Sequence, residues 1–216
     1  MEDVKIPVKI LMMKLISNLN PSMCKQLRIR EEDRAVGLLS TDCDDATYVA
    51  LDAATKSSNV YVAYARSLYA GATNASTGFA GEVIGVLAGP TPSEVLSGLD
   101  AAKTVLESDV CFRKCGESAF FAQCISRTGS YLSNLAHIQQ GEALAYLVGP
   151  PVEAVVGLDA AMKAADVELA LMFDPPTETN FAGGLLHGSQ SACLAACEAF
   201  ADSVKRCAAH PMEIGR

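Results

Sequence analysis

The chain of 216 residues has no surplus of positive charge: 17 Lys and Arg stand against 25 Asp and Glu, for a net charge of −8. Its basic residues are scattered, so neither nucleic acid nor an anionic membrane is an expected partner. No apolar run approaches the roughly 18 residues of a bilayer span. A cationic start followed by a long apolar stretch and a cleavage site is also missing, which makes a cytosolic protein the expectation. There is no Rossmann glycine fingerprint, no Walker loop and no Gly-x-Ser-x-Gly elbow, and His137, His187 and His210 are isolated. Nucleotide-driven and Ser-His-Asp chemistries therefore have no support.

What the chain does have is apolar content: 50% hydrophobic against 19% charged residues, with a mean hydropathy of +0.22. That surplus points to subunit contacts. The eight cysteines sit among Ala, Leu and Phe and read as buried, reduced thiols.

One stretch occurs twice. Leu51 to Ala65 returns as Leu158 to Met172 at an offset of 107, with seven of fifteen positions identical. In both copies an Ala-rich helical run carrying Lys56 or Lys163 is followed by a strand from Val60 or Val167. The offset is almost half the chain, so the expected organisation is a duplication, residues 1–109 and 110–216.

Taken in order, the pattern predicts a strand from Val4 to Ile16, a helix from Asn20-Pro21, a charged connection from Arg28 to Arg34, and a strand from Ala35 to Leu39. The repeated helix and strand follow, then a long small-residue loop from Arg66 to Gly81. A strand Glu82 to Leu87 and a helix capped by Ser93 close the half. Phe120 to Ile125, a short helix after Ser126, a strand Ala143 to Val148 and the second copy of the repeat follow. Gly184 to Gly188 matches Gly85 to Gly89, with a shorter second loop before it. Each half reads strand, helix, strand, helix, strand, loop, strand, helix: an α+β sandwich with helices on one sheet face.

Asp42-Cys43-Asp44-Asp45 is the densest acidic cluster. Asp44 suits a helix N-cap, and its neighbours suit the positive end of the helix; the extra carboxylate would also serve an ammonium-bearing ligand or a hard metal ion. Glu82, directly after the long loop, is the candidate second acidic group. Cys193 and Cys197 share a helical face with Phe200 and Val204 and read as core, while Cys111, Cys115 and Cys124 leave a metal or reactive-thiol reading open.

Ser40 to Tyr48, Arg66 to Gly71, Ala80 to Ile84, Ser126 to Ser133, Ala145 to Pro151, Pro175 to Asn180 and Gly188 to Cys193 together resemble the EutL-type shell proteins of ethanolamine-utilisation microcompartments, in register over nearly the whole chain. The resemblance implies two tandem, circularly permuted bacterial-microcompartment (BMC) domains, each a ferredoxin-like α/β sandwich, in a flat homotrimer that mimics a hexamer and tiles a shell with other shell proteins. It implies no catalysis and no cofactor. It also implies a gated central pore formed by the loops carrying Tyr69, Gly71, Asn74, Glu178, Asn180 and Phe181, and small pores that bind ethanolamine. There Asp45 and Glu82 would hold the ammonium group, and backbone groups near Phe112 and Thr179 would meet the hydroxyl. The rival readings are a divalent-metal enzyme built on Asp42, Asp44, Asp45 and Glu82, and a soluble trimeric sensor of small ligands.

Overall fold

In the computed structural model, which describes residues 4–68, 82–175 and 181–212, Pro7 divides the apolar start of the chain. The single strand expected from Val4 to Ile16 is instead β1 (Val4–Ile6) and β2 (Ile10–Ile16), which join different sheets. Proline has no N–H for a ladder, so a run containing it ends or changes partner there. The chain continues through α1 (Pro21–Gln26), β3 (Ala35–Thr41), α2 (Asp44–Ser57), β4 (Tyr61–Leu68), β5 (Glu82–Gly89), α3 (Pro92–Leu106) and β6 (Phe112–Cys115). Then come β7 (Ser118–Ile125), α4 (Ser130–Ala136), β8 (Ala143–Gly149), α5 (Pro151–Ala164), β9 (Val167–Phe173), β10 (Ala182–Gly188) and α6 (Gln190–Ala209).

These elements form two units, divided between Cys111 and Phe112, with β1 counted in the second and Thr128–Asn134 in the first. The first unit holds an antiparallel sheet of order β2-β3-β5-β4. Helices α2 and α3 lie on the face bearing Gly37 and Gly85: Val95 and Leu99 of α3 sit over Gly37, and Leu51 of α2 over Gly85. A Cβ on Gly85 would come within 2.6 Å of Leu51 Cδ1, so the absence of a side chain is what lets α2 descend onto the strand. The opposite face is covered at one end, where Leu19, Cys24 and Ile29 pack on Val36, Val86 and Ala88.

The second unit holds a six-stranded sheet, β1-β6-β7-β8-β10-β9. Its last four strands repeat the first sheet's order, and the register repeats as well: Leu39 faces Gly85 across β3 and β5, and Leu147 faces Gly184 across β8 and β10. Helices α5 and α6 cover one face around Phe120, Leu147, Leu158, Phe200 and Val204. The α+β reading thus holds, with the two long helices of each unit on one sheet face; α1, which sets Cys24 on the opposite face of the first sheet, departs from it.

Several expected boundaries move. The strand after the repeat runs to Leu68, so Arg66, Ser67 and Leu68 belong to β4 rather than to the loop; of the second loop, expected from Phe173 to Gly184, Phe173 ends β9 and Ala182 to Gly184 open β10. Residues 69–81 and 176–180 lie outside the described residues. Thr91, not Ser93, caps α3, its side chain accepting from the Glu94 amide. Within the expected solvated connection, Ile29 and Asp33 are buried. The hairpin partner β6 escaped periodicity because four residues are too short to show a pattern; Gly116, at φ 60°, turns the chain into β7.

Candidate functional site

The acidic cluster is shaped by two threonines rather than by its own carboxylates. Thr41, at the end of β3, accepts the Cys43 amide on its hydroxyl at 3.0 Å; the Thr41 and Thr47 hydroxyls lie 2.6 Å apart, and Thr47 donates to the Cys43 carbonyl at 2.7 Å. Both threonines are fully buried. This local side-chain bonding holds the turn that α2 starts from. The N-cap is therefore Cys43, in extended conformation and without a side-chain cap bond, and the expectation that Asp44 caps the helix is corrected: Asp44 and Asp45 form its first turn.

The three carboxylates divide. Asp42 accepts the Lys9 amide at 2.8 Å while its own amide donates to the Lys9 carbonyl, which ties it to the start of β2. Asp44 accepts the Asp45 amide at 3.0 Å. Asp44 and Asp45 are both buried, only 5% and 7% exposed, at the helix end where the backbone dipole favours negative charge. Among the described residues no three Asp, Glu, His or Cys side chains converge in a metal-holding group.

Neighbouring groups register this negative corner. Burial, then the charge of Asp45, pushes the Cys43 thiol well above its ordinary value. Tyr48, one turn after Asp45, donates to Ser67 Oγ at 3.1 Å; burial raises its phenol, and Asp44 and Asp45 add to the rise. Tyr131, whose ring centroid lies 6.0 Å from that of Tyr48, is pushed up to about 12 by burial and then by Asp52. Burial thus keeps the phenols and the thiol of this corner neutral.

The other proposed site residues are placed as follows. The backbone of Glu82 opens β5 and pairs with Leu68. Phe112 opens β6 and belongs to the second unit; it is 2% exposed, and its ring lies 5.4 Å from Phe121 and stacks 5.6 Å from Phe181. The ladder continues through Tyr146 to Phe173. The structure thus joins Phe112 and Phe181, expected at the ligand site and in a pore loop respectively, in one buried aromatic stack. Tyr69, Gly71, Asn74, Glu178, Thr179 and Asn180 lie outside the described residues.

Asp52 was missed. It is fully buried, and its carboxylate accepts the Gly129 amide at 2.7 Å and the Leu132 amide at 2.9 Å, with Lys56 Nζ 3.3 Å away. Asp52 and Lys56 recur in the repeat as Asp159 and Lys163, and nothing in that shared spacing tells which pair is covered.

Of the eight cysteines, six are buried; Cys124 and Cys207 are intermediate. Burial pushes the Cys193 thiol from 9.0 up to about 11, which leaves roughly a hundredfold less thiolate at pH 8. Iodoacetamide at pH 8 is therefore expected to label Cys207 and Cys124 first, and Cys43, Cys193 and Cys197 only after unfolding, as read by peptide mass spectrometry.

The BMC domain family matches residues 35–114. Over 98% of its length the chain is 57% identical to the bacterial microcompartment shell protein EutL of Clostridium perfringens, covering 99% of that protein. It is 47% identical to the EutL shell protein of Escherichia coli, over 93% of each chain. The crystal structure of the ethanolamine utilization protein EutL from Leptotrichia buccalis superposes with a TM-score of 0.94 at 52% identity, covering 99% of this chain and all of that one.

Proposed function

Because the chain belongs to the EutL family of bacterial microcompartment shell proteins, we propose that it builds a shell inside the cytoplasm as a homotrimer, alongside other shell proteins, and passes small polar metabolites through pores. The duplicated halves, 1–109 and 110–216, act as the two BMC domains of a pseudohexameric tile. The segments carrying Tyr69, Gly71, Asn74, Glu178, Asn180 and Phe181 line a gated central pore. The small pores take ethanolamine: Asp45 and Glu82 hold its ammonium group, and backbone groups near Phe112 and Thr179 meet its hydroxyl. The relatives carry the name of a shell protein, and the role here is structural and conductive rather than catalytic.

The observation that supports the binding step is the buried pair Asp44 and Asp45 in the first turn of α2, flanked by phenols that burial keeps neutral. A carboxylate attracts an ammonium through charge-assisted hydrogen bonds, and a pore needs that attraction to be weak enough for release. Titration calorimetry with ethanolamine is expected to show weak binding that Asp45→Ala and Glu82→Ala each reduce at least about tenfold, roughly one charge-assisted bond. Asp42→Ala, whose carboxylate serves the Lys9 amide, should leave binding unchanged. Equal binding by wild type and both site variants would defeat the assignment.

A further inference from the structure

The connection from α1 to β3 carries six charged residues in seven, Arg28 to Arg34, and the fold sorts them. Arg28, at φ 56°, turns the chain out of α1: its amide donates to the Lys25 carbonyl, and the Ile29 amide donates to the Cys24 carbonyl at 2.9 Å. In a helix end of this kind the residue after the turn packs against the last helical turn. Here Ile29 and Cys24 come down together on Val36, Val86 and Ala88. Beyond the turn, Arg30 lies over the Tyr61 ring at 4.4 Å and pairs with Asp33 at 3.7 Å, so both are engaged. Glu31 and Arg34 instead line a cavity of about 290 Å³, together with Pro21, Cys24, Lys25 and Ile29.

The cavity has an apolar floor and a charged rim. Cys24 and Ile29 are 3% and 6% exposed and belong to the core beneath. Arg34 is half-buried and fixed by its Nε, which donates to the Leu19 carbonyl at 3.2 Å; its Nη groups have no protein partner among the described residues. Lys25 and Glu31 are exposed, and neither side chain makes an ion pair or hydrogen bond among the described residues. Two cations against one carboxylate leave the cavity a net positive charge, in a chain whose net charge is −8.

We propose that this cavity binds a small carboxylate monoanion with a short apolar chain. The guanidinium of Arg34 offers its two Nη groups to the carboxylate oxygens, the planar match that arginine makes best. Lys25 adds the second positive charge, and the apolar chain covers Cys24 and Ile29. Glu31 sets the ligand's charge: a dianion such as inorganic phosphate meets this carboxylate at the rim and leaves the apolar floor bare. The volume lies at the small end of ligand pockets, which suits an acid of a few carbons. The site is separate from the acidic corner and opposite in charge, because α2 lies on the other face of the same sheet.

A ligand-observed NMR titration of the full chain with sodium butanoate tests it. Saturable binding is expected, with butanamide, the neutral isostere, at least about tenfold weaker. Arg34→Gln should weaken butanoate binding about tenfold and Lys25→Gln about threefold, whereas Glu31→Gln should tighten it about threefold. Lys25 and Glu31 are exposed, so their variants keep the fold, and a gain of affinity in Glu31→Gln has no explanation in misfolding. Absence of saturable binding overturns the proposal, as does butanamide binding as tightly as butanoate. Inorganic phosphate binding more tightly than butanoate overturns the monoanion class. Butanoate binding that is the same in Lys25→Gln, Glu31→Gln and wild type overturns the assignment to this cavity.

Discussion

Asp52→Ala is expected to lower the stability of the chain by about 3–5 kcal/mol, whereas Asp159→Ala, the same change in the other copy of the repeat, should cost at most about 1 kcal/mol. The two aspartates occupy equivalent positions and each lies i,i+4 from a lysine. Their surroundings separate them. Asp159 and Lys163 are 60% and 75% exposed in their side chains, so water replaces either partner. Asp52 is fully buried and is the acceptor for two amides of the Gly129–Leu132 turn. Its removal leaves two N–H groups without an acceptor at the point where α4 meets α2. Asp52→Asn keeps one acceptor oxygen and should fall between. Urea unfolding gives the sizes, and hydrogen exchange at the Gly129 and Leu132 amides should accelerate in Asp52→Ala ahead of global unfolding. Equal costs for Asp52→Ala and Asp159→Ala would remove the distinction.

The same comparison shows how much was legible in the sequence. The duplication, the α+β class and the order of elements in each half could be read because the repeat preserves helical and strand periods, and because Leu51 and Leu158 each sit over a glycine of the neighbouring strand. The family was legible from motifs spread over the chain. What could not be read depends on partners distant in sequence. The split at Pro7 sends β1 to β6, more than a hundred residues away, and no local pattern announces that destination. Asp44 looked like an N-cap because local chemistry allows it, but the buried Thr41 and Thr47 take over the turn. Phe112 and Phe181 were assigned separate roles, and only the fold brings their rings together. Asp45 was singled out correctly as an acidic group in the first turn, yet its burial comes from tertiary packing.

Phe200→Ala is expected to cost about 3–5 kcal/mol, in the range of buried aromatic truncations, while Leu194→Ala on the same helix, at a side chain 52% exposed, should stay within about 0.5 kcal/mol. Phe200 is fully buried on the face of α6 that also carries Cys193, Cys197 and Val204. Its ring fills the space left by Gly157 on α5: a Cβ there would lie 2.7 Å from Phe200 Cδ2. A Cβ on Gly149, at the end of β8, would sit at 3.6 Å, in ordinary contact. The ring therefore sets how closely α5 and α6 approach, and deleting it opens a cavity between helix and helix rather than at a flexible surface. Gly157→Ala should be destabilising by about 1–3 kcal/mol for the opposite reason, overpacking against the same ring. Since the two positions share one contact, their effects should not add: Gly157→Ala made in Phe200→Leu should cost less than Gly157→Ala made alone. Additive costs in urea unfolding would mean that the helices separate without regard to that contact.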